Sequence, residues 1–224
     1  MYEYIVEYID LYLEPLAQGT LDTLISVSVS TVFAYILGIC LAVILKATAP
    51  GSLKPQPVVN AVLGWIINMG RSIPFVILMI ILARLSRFIL GTSLGVVGSL
   101  IPLTIGATPF VARLVESSFA ELPPSRIEAA LAFGASTRQI IWKVYLRESL
   151  PSLVRGAAIT LITLVGYSAI MGALGGGGLG DFAIRFGYYR FKGDVMLIAV
   201  IILVIMVQVI QSTANLVARR IDRR

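Results

Sequence analysis

Few side chains in this sequence can do chemistry, and their spacing narrows the choice further. Histidine is absent and cysteine occurs once, as Cys40. That removes imidazole general-base and triad chemistry, Cys/His metal clusters and any disulfide within the chain. Cys40 sits mid-run among apolar residues and reads as a small buried hydrophobe. Serine and threonine are plentiful, but no Asp or Glu falls within Thr23–Leu45, Phe88–Ala112, Gly156–Gly180 or Val195–Ala218 to act as a base. No catalytic residue and no metal ligand is therefore assigned. Gly175, Gly177 and Gly180 match G-x-G-x-x-G, yet they follow an apolar helical run and not a strand. The stretch also lacks the Gly-Lys-Ser/Thr ending of a phosphate-binding loop, so a nucleotide reading fails there.

The four charge-free runs explain this poverty. Of 224 residues, 58% are hydrophobic and 13% charged, against roughly 45–50% and about 25% in soluble domains. Each run reaches the ~20 residues needed to cross a hydrocarbon core about 30 Å thick. The runs exceed the ~10 residues of a barrel strand, which excludes a β-barrel. A fifth apolar stretch, Val58–Ala83, carries Arg71 near its middle. Either a helix crosses there with Arg71 facing protein, or residues 57–70 lie at the interface and Arg71 snorkels from a helix end.

The expected architecture is all-α, with spans at about 23–45, 62–87, 92–115, 151–174 and 195–218. Residues 1–22 form an extracytoplasmic segment, 116–150 a cytoplasmic loop and 219–224 a basic cytoplasmic tail. The start of the chain is acidic, with Glu3, Glu7, Asp10, Glu14 and Asp22, and lacks the basic region of a cleavable signal. With the N-terminus outside, Arg71 and the basic residues of the loops at 46–54 and 113–155 and of the tail place 13 of 18 Lys and Arg in the cytoplasm. Arg84, Arg87, Arg185, Arg190 and Lys192 remain outside. The net charge of +6 then reflects topology and contact with the lipid bilayer, not nucleic acid.

The cytoplasmic loop carries two helix starts. Pro123-Pro124 breaks the preceding helix, and Ser125-Arg-Ile-Glu128 reads as a capping box. Gly134 suits a left-handed helix end, and Ser136-Thr-Arg-Gln139 offers a second box. A basic helical hairpin could read DNA, serve as an inert connector or dock a soluble partner. Its position between two spans keeps it out of a major groove.

Glu128-Ala-Ala-Leu-Ala-Phe-Gly134 resembles the EAA loop of ABC importer permeases, with Val144-Tyr-Leu146 matching the later hydrophobic part. Arg147 stands where that family usually has Pro. Arg71-Ser-Ile-Pro-Phe75, Pro102–Pro109, Thr160–Ser168 and Gly175–Asp181 extend the likeness to the methionine-import branch of the family, from about residue 20 onward. The resemblance implies a type I importer permease fold that works as a homodimer. It implies ATPase-coupling residues Ser125, Glu128, Ala129, Ala130 and Gly134, with two separate ABC subunits binding ATP and Mg. No cofactor is expected in this chain. The resemblance also implies an extracytoplasmic substrate-binding protein, which Asp181, Arg185 and Arg190 could contact, and a bacterial cell membrane as location.

Thr160, Thr163 and Tyr167 recur at helical spacing, and Ile170 and Met171 continue that face. These residues either line a pathway, with Ile170 and Met171 as its apolar gate, or bond their own helices. Arg71 and Pro74 complete the pathway candidates. Pro74, Pro102 and Pro109 free backbone groups that must be satisfied inside protein, and Gly91, Gly95, Gly98 and Gly106 permit close helix approach. The rival functions are an importer permease for another amino acid or small solute, and an ATP-independent channel or secondary carrier with Arg71 as its intramembrane charge.

Overall fold

A computed structural model describes the backbone of residues 2–221 and the side chains of residues 11–221. The charges of Glu3, Glu7, Asp10, Arg223 and Arg224 lie outside those side chains. The described chain is helical: α1 (Tyr2–Thr48), α2 (Pro57–Ser72), α3 (Phe75–Leu90), α4 (Gly95–Ala120), α5 (Pro124–Ala132), α6 (Thr137–Gln139), α7 (Leu150–Ala173), α8 (Gly178–Phe182) and α9 (Gly193–Ile221). Helix α6 continues into a π-helical segment, Ile140–Leu146, and α8 into a second, Ala183–Tyr188.

Four helices are long and apolar enough to cross a membrane, and α2 with α3 makes a fifth if counted together. That pair is not one rod. Ile73 and Pro74 are extended, with ψ of 127° at each, because a proline biases the residue before it away from the helical region. The stretch expected as a single span at 62–87 is thus two helices of 16 residues with an extended break between them. Helix α1 runs to 47 residues, more than twice the ~20 needed for one crossing. It therefore begins well before residue 23.

The chain forms two compact units, one made of the chain up to Val32 with Pro74–Gly106 and Leu161–Ile210, the other of Phe33–Ile73, Ala107–Thr160 and the chain from Gln211. In the first, Tyr12, Phe182, Val195 and Ala199 make an apolar cluster joined by Leu16 and Phe186. Ser86 donates to the Gly98 carbonyl at 2.7 Å, tying α3 to α4. Gly106 lies under the Phe75 ring, where an added Cβ would come within 2.9 Å of it. Gly91 and Gly95 serve differently from the expected packing role, with φ of +77° and +67° at helix boundaries and open space where a Cβ would go.

In the second unit Leu45, Ile67 and Ala112 pack together. Arg113 staples α4 to α2 by donating to the Gly64 carbonyl at 3.1 Å and to Asn68 Oδ1 at 3.0 Å, while its other arm pairs with Glu116 at 2.6 Å. Gly38 is where α1 meets α4, since an added Cβ would stand 2.6 Å from Val111 Cγ1 and 3.1 Å from the Ala112 nitrogen. Between helices in lipid there is little hydrophobic drive, so such close approach supplies the attraction. Half of the apolar stretch of α4 is buried within the chain but only 17% of that of α9, leaving α9 to meet acyl chains or another protein. Cys40 is exposed on α1, contrary to its expected burial, because it shares a face with Phe33, Ile36, Leu37 and Ile44 that no described residue covers.

Gly38→Val should drive α1 from α4 at a cost of about 1–3 kcal/mol. A thermal melt in detergent should show a midpoint several degrees lower; an unchanged midpoint would mean this contact is not tight.

Candidate functional site

The hairpin after α4 is set by backbone chemistry. Helix α5 starts at Pro124 with Pro123 before it, and no side chain caps it. This corrects the expected Ser125–Glu128 capping box. Proline at the first position fits where no N–H is needed, so the helix begins two residues early and Ser125 falls inside its first turn. Arg126 instead forms an ion pair with Glu148 across the hairpin. At the other end Phe133 N donates to Ala129 O, Gly134 N to Leu131 O and Ala135 N to Ala130 O. Gly134 holds φ +76° with no atom within 4 Å of where a Cβ would stand, so the demand for glycine there is conformational. The second box forms as expected: Ser136 Oγ accepts from Gln139 N at 3.4 Å, and Gln139 Oε1 accepts from Ser136 N at 2.8 Å.

The next segment anchors the hairpin. Ile140 and Tyr145 are buried, the Tyr145 ring lies 5.3 Å from that of Phe119 and the Lys46 ammonium stands 5.9 Å from it. Burial pushes the Tyr145 phenol above its ordinary pKa, so it stays neutral at physiological pH. Ser149 donates to the Ser118 carbonyl at 3.1 Å and the Ser118 and Ser152 hydroxyls meet at 2.9 Å, fastening α7 to α4. By contrast α5 buries none of its residues. Ser125, Glu128, Ala129 and Gly134 are exposed and Ala130 half-buried. Around them Leu131 is 50%, Phe133 92% and Trp142 63% exposed. A hairpin anchored through Ile140 and Tyr145 thus offers small and apolar side chains outside the helices that could enter a bilayer.

The other candidates scatter. Thr160 is fully buried and its hydroxyl donates to Gly156 O at 3.0 Å, while Thr163 is also engaged within the chain. Tyr167 stacks on Phe75 with ring centroids 3.5 Å apart and planes 15° apart. Ile170 is 38% exposed, whereas Met171 is 2% exposed and packs against Gly176. The expected lining face therefore turns inward at Met171. Arg71, exposed in the last turn of α2, and Pro74, exposed at the start of α3, flank the break between those helices. Asp181 is buried and paired with Arg185, and the Arg190 guanidinium lies 4.9 Å from the centre of the Phe186 ring. Of the three only Asp181 is withdrawn from solvent; Arg185 and Arg190 are exposed. The Arg113 staple and the Phe119–Tyr145 contact escaped sequence reasoning, since their partners lie far apart in the chain. Among the described residues no three His, Cys, Asp or Glu side chains gather to hold a metal.

The sequence pattern of the family described as "Binding-protein-dependent transport system inner membrane component" matches residues 34–224. The chain is 43% identical over 220 residues, 98% of each chain, to a Vibrio cholerae protein named "Probable D-methionine transport system permease protein MetI". It is 43% identical to the "Methionine import system permease protein MetP" of Bacillus subtilis, over 81% of this chain and 82% of that one. A solved structure described as "Inward facing conformations of the MetNI methionine ABC transporter" superposes with a TM-score of 0.91 at 42% identity, covering 93% of this chain and 97% of the other.

Ser136→Ala should loosen the start of α6 by about 1 kcal/mol, the worth of an N-cap, and speed amide hydrogen exchange over residues 137–141. Ser125→Ala should leave exchange in α5 unchanged; equal effects at both positions would contradict the assignment of the caps.

Proposed function

The chain belongs to the family of binding-protein-dependent transport system inner membrane components, and from that membership we propose that it forms the translocation pathway of an ATP-driven methionine importer. Methionine is taken from the names of the relatives at 43% identity. The observation that carries the mechanism is the hairpin at 124–146, anchored through Ile140 and Tyr145 yet burying nothing on α5.

That surface suits an ATPase subunit. Leu131 and Phe133 supply apolar contact area, Ala129 and Ala130 let another backbone come close, and Ser125 and Glu128 offer polar atoms at the edge. Gly134 sets the turn. Two copies of the chain would line one pathway about a twofold axis, as closed symmetry favours, with two ATPase subunits beneath. Mg and ATP would bind to those subunits, since this sequence has no phosphate-binding loop.

Closure of the ATPases on ATP would draw the two hairpins together. Because the hairpin is fastened through Tyr145 on Phe119 and through Ser149 and Ser152 on Ser118, α4 and α7 must follow it. A rigid-body change of this kind converts nucleotide binding into alternating access. Tyr167, held by Phe75, and exposed Ile170 are the gate residues of this reading, while buried Met171 supports the gate from behind. Arg71 and Pro74 sit at the break where α2 and α3 would flex.

The placement of basic residues supports a bacterial cell membrane location with the N-terminus outside and the hairpin and C-terminus in the cytoplasm. A substrate-binding protein would then deliver methionine from outside.

Gly134→Val places a β-branched side chain at positive φ, costing at least ~1–2 kcal/mol. Copurification of the ATPase subunit and methionine uptake into proteoliposomes should both fall about tenfold. Normal association and uptake would overturn docking at this hairpin. In the unsubstituted complex with its binding protein, methionine should stimulate ATP hydrolysis; stimulation by a different solute alone would overturn the substrate.

A further inference from the structure

An open cavity of about 510 Å³ lies in the first compact unit, between the early turns of α1 and the glycine-rich turn before α8. Gln18, Asp22, Gly177, Phe182, Arg185 and Phe186 are among its walls. Its volume falls in the ~300–1,000 Å³ range of small-molecule sites, which are mostly apolar with a few placed polar groups.

The charges in it do not balance. Asp181 is matched by Arg185. Asp22 accepts a hydrogen bond from Gln18 Nε2 on Oδ1 at 2.8 Å, but among the described residues it has no cationic partner. Its Oδ2 faces Gly177, and an added Cβ there would stand 3.5 Å from it. One negative charge is left over in a partly enclosed space, where attraction for a cation exceeds its value in open water. Arg185 remains 63% exposed, and its ion pair to Asp181 runs through Nη2, leaving other donors of its planar fork available. The partly buried Phe186 ring, its centroid 5.2 Å from that of buried Phe182 behind it, supplies the apolar wall.

The facing wall is fixed. Leu179 N donates to Thr23 Oγ1 at 2.9 Å, and that hydroxyl donates to Gly19 O at 3.0 Å. Gly177 and Gly178 hold φ of +74° and +81°, and an added Cβ at Gly178 would come within 2.6 Å of Thr23 Oγ1. A wall that cannot rearrange presents its groups without an ordering cost.

We propose that this cavity binds an α-amino acid with an apolar side chain. Its ammonium meets Asp22, its carboxylate meets the remaining donors of Arg185, and its side chain lies against Phe186. The choice of methionine as probe rests on the importer reading above. The site belongs to the permease chain itself, apart from any binding protein.

The test is calorimetric titration of the permease–ATPase complex in nanodiscs, without nucleotide and without the binding protein. Methionine should bind saturably, and its analogue lacking the amino group should not. Asp22→Asn should weaken methionine at least tenfold. Gln18→Lys, at an exposed position one helical turn from Asp22, should do the same by tethering a competing ammonium, and it carries the test if Asp22→Asn fails to assemble. Any site on the ATPase subunit contributes equally to all these proteins and cancels in the comparison. Unchanged affinity in both variants, or no saturable binding, would overturn the proposal. Uptake with the binding protein present would persist in that case, whereas failure of the importer reading would abolish uptake itself.

Discussion

A backbone amide or carbonyl left unpaired in hydrocarbon costs several kcal/mol, and this penalty decides where the chain can stop being helical. The turn after α7 shows how the penalty is met. Gly175 N donates to Gly172 O, Gly176 N to Met171 O, Gly95 N to Gly175 O, and Leu179 N to the Thr23 hydroxyl. The break at Ile73–Pro74 solves the same problem by different means: proline brings no N–H, and its carbonyl accepts from Ile77 and Leu78. Buried hydroxyls such as Thr31 and Thr160 fold back on their own helices. At these breaks in helix, partners for several backbone groups are provided locally.

The same accounting separates what could be read in the sequence from what could not. Long charge-free runs announced the helices, because no other spanning structure satisfies its own backbone over that length. Gly134 and the Ser136–Gln139 box were legible since capping is a local rule, confined to four residues. Ser125 misled because two rules competed, and Pro124 at the first helical position won. Cys40 was misplaced for a related reason: an apolar run in lipid has no polar face to tell inside from outside. A soluble helix betrays its buried side by its charges; α1 and α7 do not. The Arg113 staple joins residues 49 and 45 apart, and such pairs become visible only when the helices are assembled.

Function follows from the contrast between what is packed and what is not. Helix α4 is fastened to α7 by hydroxyl contacts and to the π-helical segment by the Phe119–Tyr145 pair, while α5 in the same compact unit buries nothing. In the proposed reading, work comes from a partner ATPase and the exposed face of α5 receives it. Family membership makes this chain the membrane component of such a machine. The substrate and the partners belong to the proposed reading.

Everything in that reading requires Phe133, 92% exposed at the tip of the hairpin, to lie on the cytoplasmic side within reach of the ATPase. A single cysteine placed there in a Cys40→Ser background can be probed with a membrane-impermeant maleimide. Labelling should occur in inside-out vesicles stripped of the ATPase, disappear when the ATPase is added back, and be absent in right-side-out vesicles. Labelling from the right-side-out face would contradict the proposed mechanism at its root.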